Sequence, residues 1–420
     1  MTYEFSTLGA LIGLAIAIIL IIKKVQPAYS LILGALIGGI IGGGGLVGTV
    51  DTMIAGTQGM ISSILRILTS GVLAGCLIKT GAAEKMAEVI VEKLGQKRAI
   101  MALAIATAVI CAVGVFVDIA VITVAPIALA IGQRANLNKP CILLAMVGGG
   151  KAGNIISPNP NTIAISEAFQ VDLTSLMMKN IIPAIVAIIV TVIIASYLAK
   201  RPGSPITEKD LEQRDDKSLP SFLAAIAGPI VVVILLALRP IFNIAIDPLI
   251  ALPLGGIVAA LATGKIRFLR EYTEFGLSKV IGVTVLLIGT GTISGIIKAS
   301  ALQYDMINLL TILHMPAFLL APIAGILMAG ATASTTAGST IASQTFASTL
   351  LSAGIPALSA GAMIHAGATV IDSLPHGSFF HATGNAANVG IKERLRLIPY
   401  EAIVGLTSTV VAVIVYLLGF

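Results

Sequence analysis

Asp118 lies near the middle of an apolar stretch that runs from residue 99 to residue 134. A carboxylate at the centre of a membrane span costs about 2.5–3.5 kcal/mol on insertion scales, so its presence needs a reason. A proton site, a cation site or a ligand-orienting group would supply one; a short exposed turn between two spans is the alternative. The second candidate segment runs from Gly148 through Lys151 to Ser157-Pro158-Asn159-Pro160-Asn161-Thr162. Its prolines forbid a regular helix. Its amide and hydroxyl side chains can hydrogen-bond an anion, and an adjoining helix N-terminus adds free N–H groups and a positive dipole end. Ser157, Asn159, Asn161 and Thr162 are therefore candidate ligand-binding residues. Lys151 can neutralise an anion, pair with Asp118 or reach back towards the interface. The Gly148–Gly150 triplet is not a phosphate loop, because the Gly-Lys-Ser/Thr spacing does not follow.

Two further segments match these. Gly330 to Thr340 places six hydroxyl residues in eleven positions inside an apolar run. Ser334, Thr335 and Thr336 there offer donors without charge, against the alternative that small residues simply let helices pack closely. Asp372-Ser373-Leu374-Pro375-His376-Gly377-Ser378 holds two titratable groups, Asp372 and His376, and Ser378 as a further ligand donor. Histidine changes charge near neutral pH, which suits proton coupling. Asp118, Asp372 and His376 are the candidate proton-coupling residues, and His376 is a candidate ligand contact as well. His365 and His381 lie nearby, but no set of His, Cys and carboxylates has zinc spacing, so no metal and no cofactor is expected.

These groups need an apolar solvent around them, and the composition supplies it. Of 420 residues 57% are apolar and only 11% charged, against about 25% charged in a soluble domain. Apolar runs near 6–22, 58–79, 181–199, 220–242 and 400–419, among others, have the length of membrane spans. The net charge of +6 comes with no Trp and few aromatics, so nucleic acid is not the expected partner. Cys76, Cys111 and Cys141 sit inside apolar runs and read as packing residues. The first run is followed by Lys23-Lys24. That reverses the charge order of a signal peptide and predicts a first span with its N-terminus outside.

Lys200 to Lys217 interrupts the pattern with ten charged residues and two prolines. The expected organisation is an N-terminal transmembrane repeat over 1–200, a charged cytoplasmic linker over 201–219 and a C-terminal repeat over 220–420. An offset of 217 lays Ala145-Met146 on Ala362-Met363, Gly150 on Gly367 and Pro158 on Pro375; an offset of 220 lays Gly71 on Gly291 and Gly75 on Gly295. Charge placement adds a sense of direction. The stretch Glu84 to Arg98 is basic, while its counterpart Ala301 to Met315 carries no Lys or Arg. The order then reverses: Asp51 to Gln58 and Ser166 to Asn180 are poor in basic residues, while Lys265 to Lys279 and Lys392 to Arg396 are rich in them. Basic loops mark the cytoplasm. Corresponding loops then lie on opposite sides, as in inverted-topology repeats.

At the Asp118–Pro126 stretch, the Gly148–Thr162 segment, the Gly330–Gly338 stretch and Leu374–Ser378, the chain resembles the gluconate permease (gluconate:proton symporter) family of the wider ion transporter superfamily. The resemblance runs over nearly the whole length. Asp118 stands where gluconate permeases often carry Glu, and the Pro-Asn-Pro-Asn segment stands where they often have a His-containing turn. The resemblance implies proton-linked symport of a sugar acid or a related hydroxy acid such as gluconate, glycerate or D-serine. It also implies an all-α polytopic fold with a re-entrant hairpin and a broken transmembrane helix in each half, a homodimer, and elevator-type movement in the inner (plasma) membrane. The rivals are a sodium-coupled di- or tricarboxylate carrier, a channel, and an intramembrane enzyme using Ser373 with His376.

Overall fold

The computed structural model describes residues 5–211, 218–312 and 314–419. Among them the chain forms helices and no strand, with two isolated bridges. The first half runs α1 (Thr7–Ile22), α2 (Pro27–Ile41), α3 (Gly45–Gln58), α4 (Ile61–Lys79), α5 (Ala82–Leu94), α6 (Ala99–Ala112), α7 (Val117–Arg134), α8 (Lys139–Asn154), α9 (Pro160–Phe169), α10 (Leu173–Lys179) and α11 (Ile181–Ala199). The second runs α12 (Phe222–Phe242), α13 (Pro248–Ala262), α14 (Leu269–Lys298), α15 (Leu302–Ile312), α16 (Leu320–Thr332), α17 (Thr335–Ser352), α18 (Ala357–Gly367), α19 (Ser378–Ala386) and α20 (Ile391–Leu417). Six helices among the described residues are long and apolar enough to span a membrane, or seven spans when the pair meeting at a 102° bend at Gly95 is taken as one. On α11, Ile181, Ile185, Ile189, Ile193 and Tyr197 are exposed at every fourth position. That stripe satisfies no protein neighbour and suits lipid.

The two halves agree element by element. An offset of 218 carries the span 173–199 of α10–α11 onto the span 391–417 of α20, and α7 onto α17. Only the joints differ, since α3 and α4 are two helices where α14 is one. Packing repeats too: α8 lies against α6 and α11, and α18 against α16 and α20. Other contacts are exchanged between halves, with α7 on α19, α9 on α17, α4 on α14 and α11 on α20.

Helix α14 acts as a ruler for the relative sense of the halves. Its 30 residues span about 45 Å at 1.5 Å per residue. Just before its start, Lys265 Nζ donates to Thr80 O at 3.0 Å, beside α5. Just after its end, Ala299 O and Ala301 N pair with Phe5, beside α15. The equivalent helices α5 and α15 thus sit at opposite ends of the molecule.

Polar ties gather the basic segments at the α5 end. Gln96 Nε2 donates to Arg134 O, Lys139 pairs with Asp210 at 2.8 Å, and Ser204 N donates to Glu393 Oε1 at 2.8 Å. The other end holds a more acidic network, in which Arg66 pairs with Glu167 and Asp247, each at 2.6 Å, and Arg239 pairs with Asp172 at 2.9 Å.

Several segments expected as loops are helical. Glu84 to Arg98 falls mostly in α5, Lys265 to Lys279 enters α14, and Lys392 to Arg396 opens α20. Charge marks where a chain leaves the hydrocarbon, but at that boundary backbone groups still gain from internal pairing. Helix α5 is amphipathic, burying Ala82, Ala83, Met86, Ala87 and Val91. The linker, for all its charge, is partly packed against the helices. Ile206 is buried in the main apolar cluster, and Asp210 is held by Lys139 and Thr207. Burial opposes ionisation of Asp210, yet those hydrogen bonds outweigh it and hold the carboxyl down at about 2. Residues 212–217 of the linker lie outside the described residues.

The Gly148–Gly150 triplet lies inside α8, whose residues Pro140 to Asn154 are all buried. A Cβ on Gly149 would come within 2.1 Å of Ala104 O, and one on Gly153 within 2.1 Å of Ala108 O. The glycines therefore let α8 touch the backbone of α6. The break comes after them, at residues 155–159.

Candidate functional site

Four helices begin at the interruptions, two in each half. Helix α7 starts after the break at 113–116, α9 after 155–159, α17 after Ala333-Ser334, and α19 after 368–377. All four N-termini reach one cavity of about 210 Å3, lined in part by Asp118, Asn161, Thr335 and Ser378. That is below the roughly 300–1,000 Å3 of pockets for drug-sized ligands, so it suits a small ligand. The first N–H groups of a helix have no internal partner, and the dipole adds positive potential there. Asn159 spends its Oδ1 on Asn161 N and Thr162 N, at 2.9 and 3.1 Å. Ser334 Oγ accepts from Ala337 N at 3.2 Å. Helices α7 and α19 have no capping side chain ahead of them. Asp118, in the first turn of α7, accepts from Ile119 N at 2.9 Å.

The structure brings Asp118, Asn161, Ser334, Thr335, Thr336, Asp372 and Ser378 to this cavity. It does not bring Ser157, Asn159, Thr162 or His376 to its lining. Asn159 is a scaffold group: beyond capping α9, its Nδ2 donates to Asn154 O and Oδ1 at 2.9 and 2.6 Å. Thr162 Oγ1 donates to Ser157 O at 2.6 Å, closing the turn. Ser157 is fully buried, and its hydroxyl has no partner in the structure. His376 Nε2 lies 3.2 Å from Ala331 O and ties the second break to the tip of the α16–α17 hairpin. Asn159, Thr162 and His376 share a cause: each is taken up in satisfying backbone groups at the breaks.

Lys151 pairs with Asp372 rather than Asp118. Its Nζ is 2.6 Å from Asp372 Oδ1 and 2.6 Å from Thr369 O, and both side chains are almost fully buried. Asp372 Oδ2 accepts from Thr335 Oγ1 at 2.5 Å. Ser373 Oγ donates to Asp372 Oδ1 at 3.0 Å, so each member of the suggested Ser373–His376 pair is engaged elsewhere.

Lys279 and Asn154 also line the cavity and were not expected there. Lys279 falls in a basic stretch whose charge predicts a loop; it lies on α14, one helical turn before the cavity-lining Val283, which nothing in the sequence marks as a cavity residue. Asn154 Oδ1 accepts from Asn159 and Asn161, which fixes its amide and leaves Nδ2 without a partner. An unsatisfied buried donor beside a cavity calls for an acceptor. Arg394 was placed in a basic loop; it is buried on α20 and paired with Glu401, with its Nη2 3.2 Å from Thr383 Oγ1 on α19. Its charge therefore cannot mark a membrane face.

A helical membrane protein whose two like halves contribute paired breaks to one buried polar cavity is a transport protein of the permease class. The chain belongs to the GntP permease family, whose sequence profile, described as GntP family permease, matches residues 5–254. It is 54% identical over 411 residues to an uncharacterized transporter of Haemophilus influenzae, covering 98% of each chain. It is 21% identical over 354 residues to the D-serine transporter DsdX of Escherichia coli K12, covering 78% of this chain and 79% of that one. In fold it is similar to the Alcanivorax borkumensis YdaH transporter, with a TM-score of 0.68 at 14% identity, covering 98% and 99% of the two chains.

Proposed function

We propose that the protein is a secondary active transporter that carries a small hydroxylated organic anion across the inner membrane together with a proton, by alternating access of two inverted repeats over 1–200 and 220–420. The observation that carries this reading is the convergence of four helix N-termini, two from each half, on one small cavity rich in amide and hydroxyl donors. Such ends favour a carboxylate, and the hydroxyls of Ser334, Thr335, Thr336 and Ser378 suit a ligand that carries hydroxyls of its own. Gluconate-like sugar acids, glycerate and related hydroxy acids have that chemistry, and D-serine, the substrate in DsdX's name, combines a carboxylate with a hydroxyl.

The charges on the cavity wall support proton coupling. Lys151 balances Asp372, so Asp118 and Lys279 are the remaining charged side chains on the cavity wall. While Asp118 is ionised it repels an incoming carboxylate. Once protonated, it leaves Lys279 and the helix ends to bind the anion. Each carboxylate then crosses with one proton, which lowers the cost of carrying charge through a low-dielectric barrier.

A panel of small hydroxy acids, with D-serine and gluconate included, is screened by thermal shift on the purified protein. A saturable rise in melting temperature is expected for one or more monocarboxylates. The same compound should drive counterflow in proteoliposomes. Flux without saturation or counterflow would point to a channel instead. Single cysteines at Lys93 and Asp305 test the opposed sense of the halves on intact cells, where only the Asp305 position should label from outside. Labelling of both positions from the same face would end the inverted-repeat reading.

A further inference from the structure

The ammonium of Lys151 occupies the kind of place where a transporter holds a free cation. Thr369 follows the C-cap of α18 directly, so its carbonyl lies at the negative end of a half-helix, in the unwound break. Half-helix C-termini and unwound carbonyls are the groups that coordinate coupling cations in broken-helix transporters. Here Thr369 O and Asp372 Oδ1 each lie 2.6 Å from Lys151 Nζ. The hydroxyls of Ser373 and Thr335 bond the same carboxylate, at 3.0 and 2.5 Å. Carbonyl, carboxylate and hydroxyl oxygens are the hard ligands that replace the hydration shell of such an ion.

Stability does not account for this arrangement. A buried ion pair is commonly no better than apolar residues of the same volume. Repeat architecture does not account for it either: the 218 offset that relates the helices lays Lys151 on Thr369 and Asp372 on Asn154, so the first half has no equivalent ion pair. The lysine comes from α8 of one half, and the oxygens come from the break of the other.

We infer that Thr369 O and Asp372, with Ser373 and Thr335 around them, form a monovalent-cation site that the protein fills permanently with its own Lys151 ammonium. The tethered charge does the structural work of a bound sodium and cannot dissociate. The site therefore needs no sodium, and removing the tether should create one that does.

The test uses purified full-length protein without substrate, melted in sodium, potassium or choline chloride at equal ionic strength. Wild-type protein should melt at the same temperature in all three. Lys151→Met should melt several degrees lower in choline, recover with saturable sodium, and bind about one radioactive sodium per chain by equilibrium dialysis. Lys151→Arg, which keeps a cation in place, and Lys151→Met/Asp372→Asn, which removes the carboxylate, should ignore sodium. A sodium-specific rise in the wild type, or a folded Lys151→Met that binds no sodium, overturns the inference. If Lys151→Met aggregates in choline, the monodisperse fraction on gel filtration should return in sodium; equal aggregation in both salts also overturns it. Because no substrate is present, either negative result leaves the transport reading untouched.

Discussion

Asp118→Asn protein, reconstituted in liposomes, should exchange substrate across the membrane at a measurable rate yet fail to concentrate it when an inward proton gradient is imposed. One proton per monovalent anion lets a pH step of one unit support about a tenfold concentration ratio, since 1.4 kcal/mol corresponds to tenfold. The Asn variant should stay at a ratio of one. The amide keeps the shape of the side chain and an acceptor for Ile119 N, which bonds Asp118 Oδ1, but it cannot take up and release the coupling proton. Binding of the anion should persist or tighten, because the cavity permanently loses the charge that repels it. A thermal shift that survives in the variant while gradient-driven uptake disappears separates coupling from binding. Accumulation that still follows the pH gradient would remove Asp118 from the mechanism and leave the coupling proton to another group.

The second large effect concerns Arg394. Arg394 and Glu401 lie two turns apart on one face of α20 and are both fully buried. The guanidinium also donates to Phe380 O at 3.3 Å and to Thr383 Oγ1 at 3.2 Å, and it stacks on the Phe380 ring at 5.0 Å. It thus clamps α19, whose first residue Ser378 lines the cavity. Removing one partner of a buried pair typically costs about 3–5 kcal/mol, because the other charge is left uncompensated. Arg394→Met should lower the melting temperature by roughly 3–6 °C and weaken substrate binding as α19 loosens. The double variant Arg394→Met/Glu401→Met should recover most of the stability, since no lone charge then remains. Equal melting of the single variant and the wild type would show that Glu401 finds another partner and that the clamp is not what orders α19.

The interruptions were legible for a simple reason. Polar and proline-containing segments inside long apolar runs have no place against lipid, so each had to mark backbone lining a protein interior. That argument picked out the four segments whose helices now begin at the cavity. The roles of individual side chains within a segment were not legible. Asn159 and Asn161 are two positions apart and chemically identical, yet one caps the helix and the other lines the cavity. Which is which depends on whose backbone amide comes within reach after the break has formed. Charge also misled in places, because a basic residue at a membrane boundary can turn either way on a helix. Arg394 turns inward to Glu401, while Lys392 and Arg396 beside it stay exposed.

Composition and periodicity by themselves determined a membrane protein of many helices and the interrupted segments at which helices begin. Each is a property of the solvent the chain must satisfy, and solvent acts on every residue locally. Only the tertiary structure decided that Lys151 meets Asp372 rather than Asp118, that Lys279 reaches the cavity from α14, and that α7 packs on α19 and α9 on α17. Those pairings join residues far apart in the chain, 221 positions in the case of Lys151 and Asp372. They are set by how helices of the two halves interlock, a relation that no local period in the sequence records.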